Sequence, residues 1–233
     1  MHRRDFLADL ARLSVLCAGI PNVWRVTGRP VLADDPFTLG VASGDPTPTG
    51  IVIWTRLAPR PLDPDGGMNG QRTVVTWEVA DDEAFAKIVR QGRYTAAPEL
   101  GFSAHVDVAG LEPDRGYFYR FTLPGGPSPV GRLRTAPAAS GPGGPASSLR
   151  LAFASCQHYE EGLYTAFDHM AREDAALIVH LGDYIYEYAG VDNRVRKHAT
   201  REIRSLDDYR IRYAQTKNDS ALQAAHADRK SVV

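Results

Sequence analysis

The chain has 233 residues, a formal net charge of −1 from 27 basic and 28 acidic side chains, and 43% hydrophobic residues. That is enough apolar material for two small domains. The near-neutral balance gives no electrostatic footprint for nucleic acid, and no apolar run is long enough to span a bilayer.

The N-terminus opens on His2-Arg3-Arg4-Asp5-Phe6-Leu7, and a modest apolar stretch follows from Leu13 to Ile20. Arg-Arg-x-Phe-Leu resembles a twin-arginine export signal, with Val31-Leu32-Ala33 ahead of a cleavage site. The expectation is a signal peptide over 1–33, a twin-arginine translocase as partner, and a periplasmic or extracellular product. An amphipathic N-terminal helix is the alternative. Cys17 lies inside this segment, so the mature chain keeps Cys156 alone and has no intrachain disulfide. A free thiol in an oxidising compartment is a liability unless it is buried or metal-bound.

Residues 37–135 read as all-β. Leu39–Ser43, Ile51–Arg56, Thr73–Ala80, Lys87–Gln91, Ala104–Val108, Tyr117–Leu123 and Gly131–Thr135 are short runs rich in β-branched and aromatic residues. Gly44-Asp45-Pro46 and Asp63-Pro64-Asp65-Gly66-Gly67 punctuate them. Such spacing predicts a β-sandwich. Leu111 to Arg120 is similar to the corner of a fibronectin type III domain, which assigns Tyr117 a hydroxyl tie back to its own backbone. Trp54 and Trp77 are expected in the core, and His105 at an exposed strand position.

The Pro/Gly/Ser/Ala stretch 136–148 reads as a linker marking a domain boundary. Beyond it, Leu149–Ala154 and Ala176–Leu181 are apolar runs suited to strands buried on both faces, with a helix between them over Tyr164–Arg172. This is a βαβ unit. Cys156 and Asp183 fall at the carboxyl ends of its parallel strands, where ligands bind in open α/β sheets. Adjacent strands lie about 5 Å apart, so the thiolate and carboxylate could share one ion. Tyr186 follows three residues later, and its phenolate is a hard donor suited to Fe(III).

The motifs ASCQHYEEGLYTAF and IVHLGDYIYE resemble those of the PhoD-type alkaline phosphatases, relatives of the purple acid phosphatases among the metallophosphoesterases. The resemblance covers Phe37 to about Ala227. It implies a multidomain β plus α/β fold, with a fibronectin III-like sandwich over 37–135 and the first part of a metallophosphatase domain over 149–227. It also implies hydrolysis of phosphate mono- or diesters at an Fe(III)–calcium centre. In that pattern Asp183 bridges the metals and is the catalytic residue, while Cys156 and Tyr186 bind the iron. His158, two residues past Cys156, is a weaker substrate-binding candidate or an exposed turn residue. Glu187 is either near the metals or a solvated turn carboxylate. His180 reads as a core residue, and Asp168 and His169 as solvent-facing. A monomer is expected.

Asp192 to Arg204 is rich in Arg and Lys, either a solvated loop or a flap supplying cations to an anionic substrate. Ser205-Leu206-Asp207-Asp208 resembles a capping box before a helix to about Thr216, and Asn218-Asp219-Ser220 a cap before Ala221–Ala227. The family pattern continues with an Asp-Asp-His-Glu motif and later ligands, which this sequence lacks. The βαβ unit offers two strands, so uncovered apolar faces, an unpaired edge and an incomplete two-metal site are expected. Residues 228–233 can be back-translated to GAT CGG AAG AGC GTC GTG, the string of a common sequencing-library adapter. The expectation is a truncated member with a non-native tail. Two other readings are a non-catalytic surface protein binding through its sandwich, and a phospholipase or nucleotide diesterase on the same core.

Overall fold

The computed structural model describes residues 34–139, 148–228 and 230–232. The expected signal peptide, Cys17 and most of the linker lie outside the described residues. So do Arg229 and Val233 of the tail.

The first part is an antiparallel sandwich. Strands β1 (Val41–Thr47), β2 (Gly50–Arg56) and β5 (Ser103–Ala109) form one sheet in the order β1-β2-β5. Strands β3 (Thr73–Ala80), β4 (Ile88–Ala96) and β6 (Gly116–Leu123) form the other as β4-β3-β6. The short β7 (Gly126–Pro127) and β8 (Gly131–Arg134) both pair with β6. The two-residue alternation places Tyr117, Tyr119, Phe121 and Leu123 of β6 inward against Ile51, Ile53, Val75 and Val79. His105 points outward between buried Ala104 and Val106, at the exposed position expected of it.

Three sequence expectations are revised. Gly44-Asp45-Pro46 is not a break but a bulge inside β1, where the register with β2 shifts between Gly44 and Thr47. Asp45 takes φ 49°, which an aspartate tolerates better than most side chains. Trp77 is half-buried, lying across its cross-strand partner Gly92, where an added Cβ would stand 2.6 Å from Cζ2 of the ring. Trp54 is outside the sandwich core and packs instead with Leu39, Ala58 and Ala214.

The predicted tyrosine corner is present. The Glu112 amide donates to the Tyr117 hydroxyl at 2.9 Å, closing the connection between β5 and β6. Tyr117→Phe strips that amide of its acceptor while leaving the ring in place. We expect it to lower stability by about 1–2 kcal/mol, read as a shift in the denaturant midpoint with an unchanged slope.

The second part is a parallel sheet with helices against it. Strands β9 (Leu151–Ala154) and β10 (Leu177–His180) flank helix α1 (Thr165–Arg172). Helices α2 (Leu206–Lys217) and α3 (Ser220–Ala227) follow, then β11 (Lys230–Val232). Both helix caps read from sequence form. The Asp208 amide donates to Ser205 Oγ while Asp208 Oδ2 accepts from the Ser205 amide, and Asp219 accepts from the amides of Ala221 and Leu222. A core of Phe167 on α1, Ile178 on β10 and Leu222 and Ala225 on α3 fills one side of the sheet.

The sheet has three strands rather than two, because β11 pairs in parallel with the other edge of β10. Burial on both faces is not observed. Leu151 and Phe153 are 51% and 67% exposed, because α1 and α3 pack on one face alone. Helix α2 also departs from its sequence pattern. Of Leu206, Tyr209, Ile211 and Tyr213, the side chains that suggest this helix in the sequence, Ile211 is buried and the other three are exposed, while Arg212, Gln215 and Thr216 turn inward. The two parts touch directly: Arg56 donates to the carbonyls of Gly101 and Arg210, and Gln223 donates to the Thr38 carbonyl. Among the described residues, no helix is long and apolar enough to cross a membrane.

Candidate metal centre

The centre forms where β9 and β10 end side by side, with Ala154 and His180 in register. Their following loops are laced together. The Leu181 amide donates to Ala154 O at 2.8 Å, the Cys156 amide to Gly182 O at 3.1 Å and the Gln157 amide to Asp183 O at 3.2 Å. The lacing demands left-handed backbone at Cys156 (φ 55°) and Asp183 (φ 51°), and φ 127° at Gly182. Each of the two non-glycine residues carries strain of roughly 1–2 kcal/mol, which persists only where surrounding bonds over-determine it.

The result is a small hub on one carboxylate oxygen. Tyr186 donates its hydroxyl to Asp183 Oδ2 at 3.1 Å, and the Cys156 thiol lies 3.5 Å from the same atom. Cys156 and Asp183 are exposed and Tyr186 is half-exposed. Lost solvation, then the hydrogen bonds to Asp183 and Cys156, push the Tyr186 phenol up to about 12. Unaided, it keeps its proton at neutral pH.

The family descriptions "PhoD-like phosphatase, N-terminal domain" and "PhoD-like phosphatase" match residues 25–137 and 151–233. The chain belongs to the PhoD-like phosphatase family. It is 47% identical over 235 residues to alkaline phosphatase D of Bacillus subtilis (strain 168), covering 97% of this chain and 40% of that protein. A solved structure of PhoD superposes with a TM-score of 0.81 at 50% identity, covering 88% of this chain and 40% of that one. The chain therefore spans about two-fifths of the length of these relatives. The match establishes the multidomain fold, a β-rich part followed by an α/β part.

In this PhoD-like chain, thiol, carboxylate and phenol meet at one point, a donor set that suits Fe(III). No three His, Cys, Asp or Glu side chains cluster as a metal site among the described residues, the third donor here being a tyrosine. Calcium takes about 6–8 oxygen ligands. Among the described residues at this point, the Asp183 carboxylate is the group the resemblance assigns to it. The donor types present are thus ones that suit iron, with Asp183 as their carboxylate.

The surroundings hold residues that sequence reasoning passed over. Glu160 is 1% exposed and accepts from the amides of Val191 at 3.1 Å and His198 at 2.8 Å. Burial pushes its carboxyl up, but the His198 and Val191 amides outweigh that and leave it below 4.5. It pins the segment 191–198 at both ends, so this largely exposed stretch is a fastened strap. Arg196 of the strap turns inward, 4.0 Å from the Tyr159 ring centroid and paired with Asp219 at 2.7 Å. Arg194 pairs with Glu161. These two cations are spoken for, which speaks against the alternative of a cationic flap.

His158 sits beside the hub, its ring 4.8 Å from that of Tyr186. Its Nδ1 accepts from the Glu160 amide at 3.3 Å, which places the proton of the neutral ring on Nε2. His180 is half-buried, its ring 5.0 Å from Tyr184, and burial lowers its pKa. Glu187 is exposed, as are His169 and, in part, Asp168. Tyr184 anchors the Asp183 loop from below. Its carbonyl accepts from Gln157 Nε2 at 2.9 Å, and its hydroxyl lies 3.0 Å from His226 Nε2.

Proposed function

We propose that this chain carries the first ligands of a phosphate-ester hydrolase of the alkaline phosphatase D type, acting on mono- or diesters at an Fe(III)–calcium centre. The observation that supports the reading most is the meeting of Cys156, Asp183 and Tyr186 at Asp183 Oδ2. Cys156 and Tyr186 would hold Fe(III), and Asp183 would bridge it to calcium. When bound, such cations lower the pKa of coordinated water and offset charge on phosphate oxygens.

The chain's own residues have defined tasks. Asp183 accepts a hydrogen bond from the Tyr186 hydroxyl, so the phenol is aimed at the hub before loading. Ligation releases that proton and the thiol proton of Cys156, which makes loading more favourable as pH rises. His158 presents Nε2–H toward an anionic oxygen of the ester. Export by the twin-arginine machinery to the periplasm or medium, directed by Arg3-Arg4, completes the reading.

The test is visible spectroscopy of the Fe(III)-loaded protein together with a panel of phosphate mono- and diesters. We expect a broad phenolate-to-iron absorption band that Tyr186→Phe removes. A Tyr186→Phe protein with the band unchanged would refute the assignment.

A further inference from the structure

We infer that Arg212 is a positioning residue for Tyr186, acting as a clamp on the backbone that carries it. The inference deepens the proposed iron site and rests on Tyr186 being a ligand there. Asp183 and Cys156 take their places from the ends of two paired strands. Tyr186 does not. It lies three residues beyond the last loop bond that laces the strand ends, in a stretch, Tyr184 to Tyr188, without helix or strand. Something other than the sheet must hold its main chain.

Arg212 does so from α2. Its side chain is among the most buried of the protein, at 0% exposure. One terminal nitrogen donates to the Tyr186 carbonyl. The other donates to the Tyr188 carbonyl at 3.0 Å, to Thr200 Oγ1 at 3.0 Å and to the Arg201 carbonyl at 3.2 Å. No carboxylate is ion-paired with Arg212 among the described residues. A buried guanidinium without a counter-ion is costly, and an apolar side chain would fill the same space more cheaply. What the guanidinium adds is a rigid planar fork that fixes several oxygens at set angles. Those oxygens belong to two segments, 186–188 and 200–201, on either side of the strap. This also accounts for the inverted face of α2: the helix turns Arg212 inward to reach them.

The experiment compares wild type, Arg212→Met and Arg212→Lys. Amide hydrogen exchange is read in the metal-free protein, and the visible band after Fe(III) loading. With Arg212→Met, exchange of the Ile203 amide, which donates to the Glu187 carbonyl at 2.9 Å and so joins the two clamped segments, should rise at least about tenfold while β6 is unchanged, reporting a local opening. The band at saturating Fe(III) should fall by about half or more, since loss of a group that orients a ligand weakens metal binding roughly 10–100-fold. Arg212→Lys keeps the charge but reaches fewer oxygens, and should recover part of both signals. It also carries the test if Arg212→Met fails to fold. Wild-type exchange at the Ile203 amide for the folded variants would overturn the clamp. So would faster exchange spread evenly over the whole chain with the band intact, which marks a merely structural role. If wild type itself shows no band, the iron reading fails separately, and exchange still decides whether Arg212 holds the Tyr186 backbone.

Discussion

Asp183→Asn is expected to lower the iron content and the band intensity of the Fe(III)-loaded protein by at least about tenfold, because it removes the negative charge at the proposed hub. The substitution isolates charge from shape. Asparagine is nearly isosteric and tolerates left-handed backbone as well as aspartate does, so the φ of 51° at this position costs no more than before. Its amide oxygen can still accept from Tyr186. The thermal midpoint should therefore stay within a degree or two of wild type. What is lost is the negative charge that draws two cations to one atom. The measurement is iron content and band intensity after loading. A variant that binds iron as wild type does would exclude Asp183 from the proposed centre.

Glu160→Ala should be the most damaging single change to the stability of the α/β part. Two backbone amides, those of Val191 and His198, end on this buried carboxylate. Hydrogen bonds to a charged group contribute about 1.5–3 kcal/mol each, and alanine would leave both donors unpaired. A loss of about 3 kcal/mol is expected, with tryptic cleavage appearing at exposed Arg194 and Lys197. The pH dependence has a definite sign. The Glu160 pKa lies below 4.5 when folded, so its contribution is complete above that value and is lost as pH falls through the lower, folded one. His198 acts in the same direction. Burial first, and then Arg212, hold it below 6.5, so acid must charge a ring that the fold keeps neutral. The strap should loosen progressively from about pH 6 downward, and the Glu160→Ala protein should show a shallower acid dependence. Equal slopes for the two proteins would remove Glu160 from this role.

Much of the fold was readable one residue at a time. Alternation in β5 and β6 is a two-residue pattern that survives any tertiary context, because only one face of a sandwich strand is buried. The capping box at Ser205 and Asp208 and the Asp219 cap are local bonds within four residues, so they too are written in sequence. The tie between Tyr117 and Glu112 spans five positions and was legible for the same reason. The hub was legible in part, since a Cys and a Gly-Asp at the ends of two apolar runs must come together once the strands pair.

The remaining features depend on segments distant in sequence. Trp54 and Ile53 look alike as strand aromatics or aliphatics, but their alternation says only that they face opposite ways. It is α2, some 160 residues later, that covers Trp54 and lays Lys217 over its ring at 4.5 Å. The exposure of Leu151 and Phe153 could not be read from an apolar run, because burial belongs to the neighbour and not to the run. Residues 228–233 looked foreign to the preceding helix, yet Lys230–Val232 finds the open edge of β10, since any extended backbone can complete a strand ladder. Glu160 and Arg212 resemble ordinary surface charges in sequence. Their roles arise from carbonyls and amides of loops 11 to 38 positions away, and backbone groups carry no sequence signature. Local chemistry thus pointed to the candidate ligands at the strand ends, while the three-dimensional packing chose the residues that hold them there.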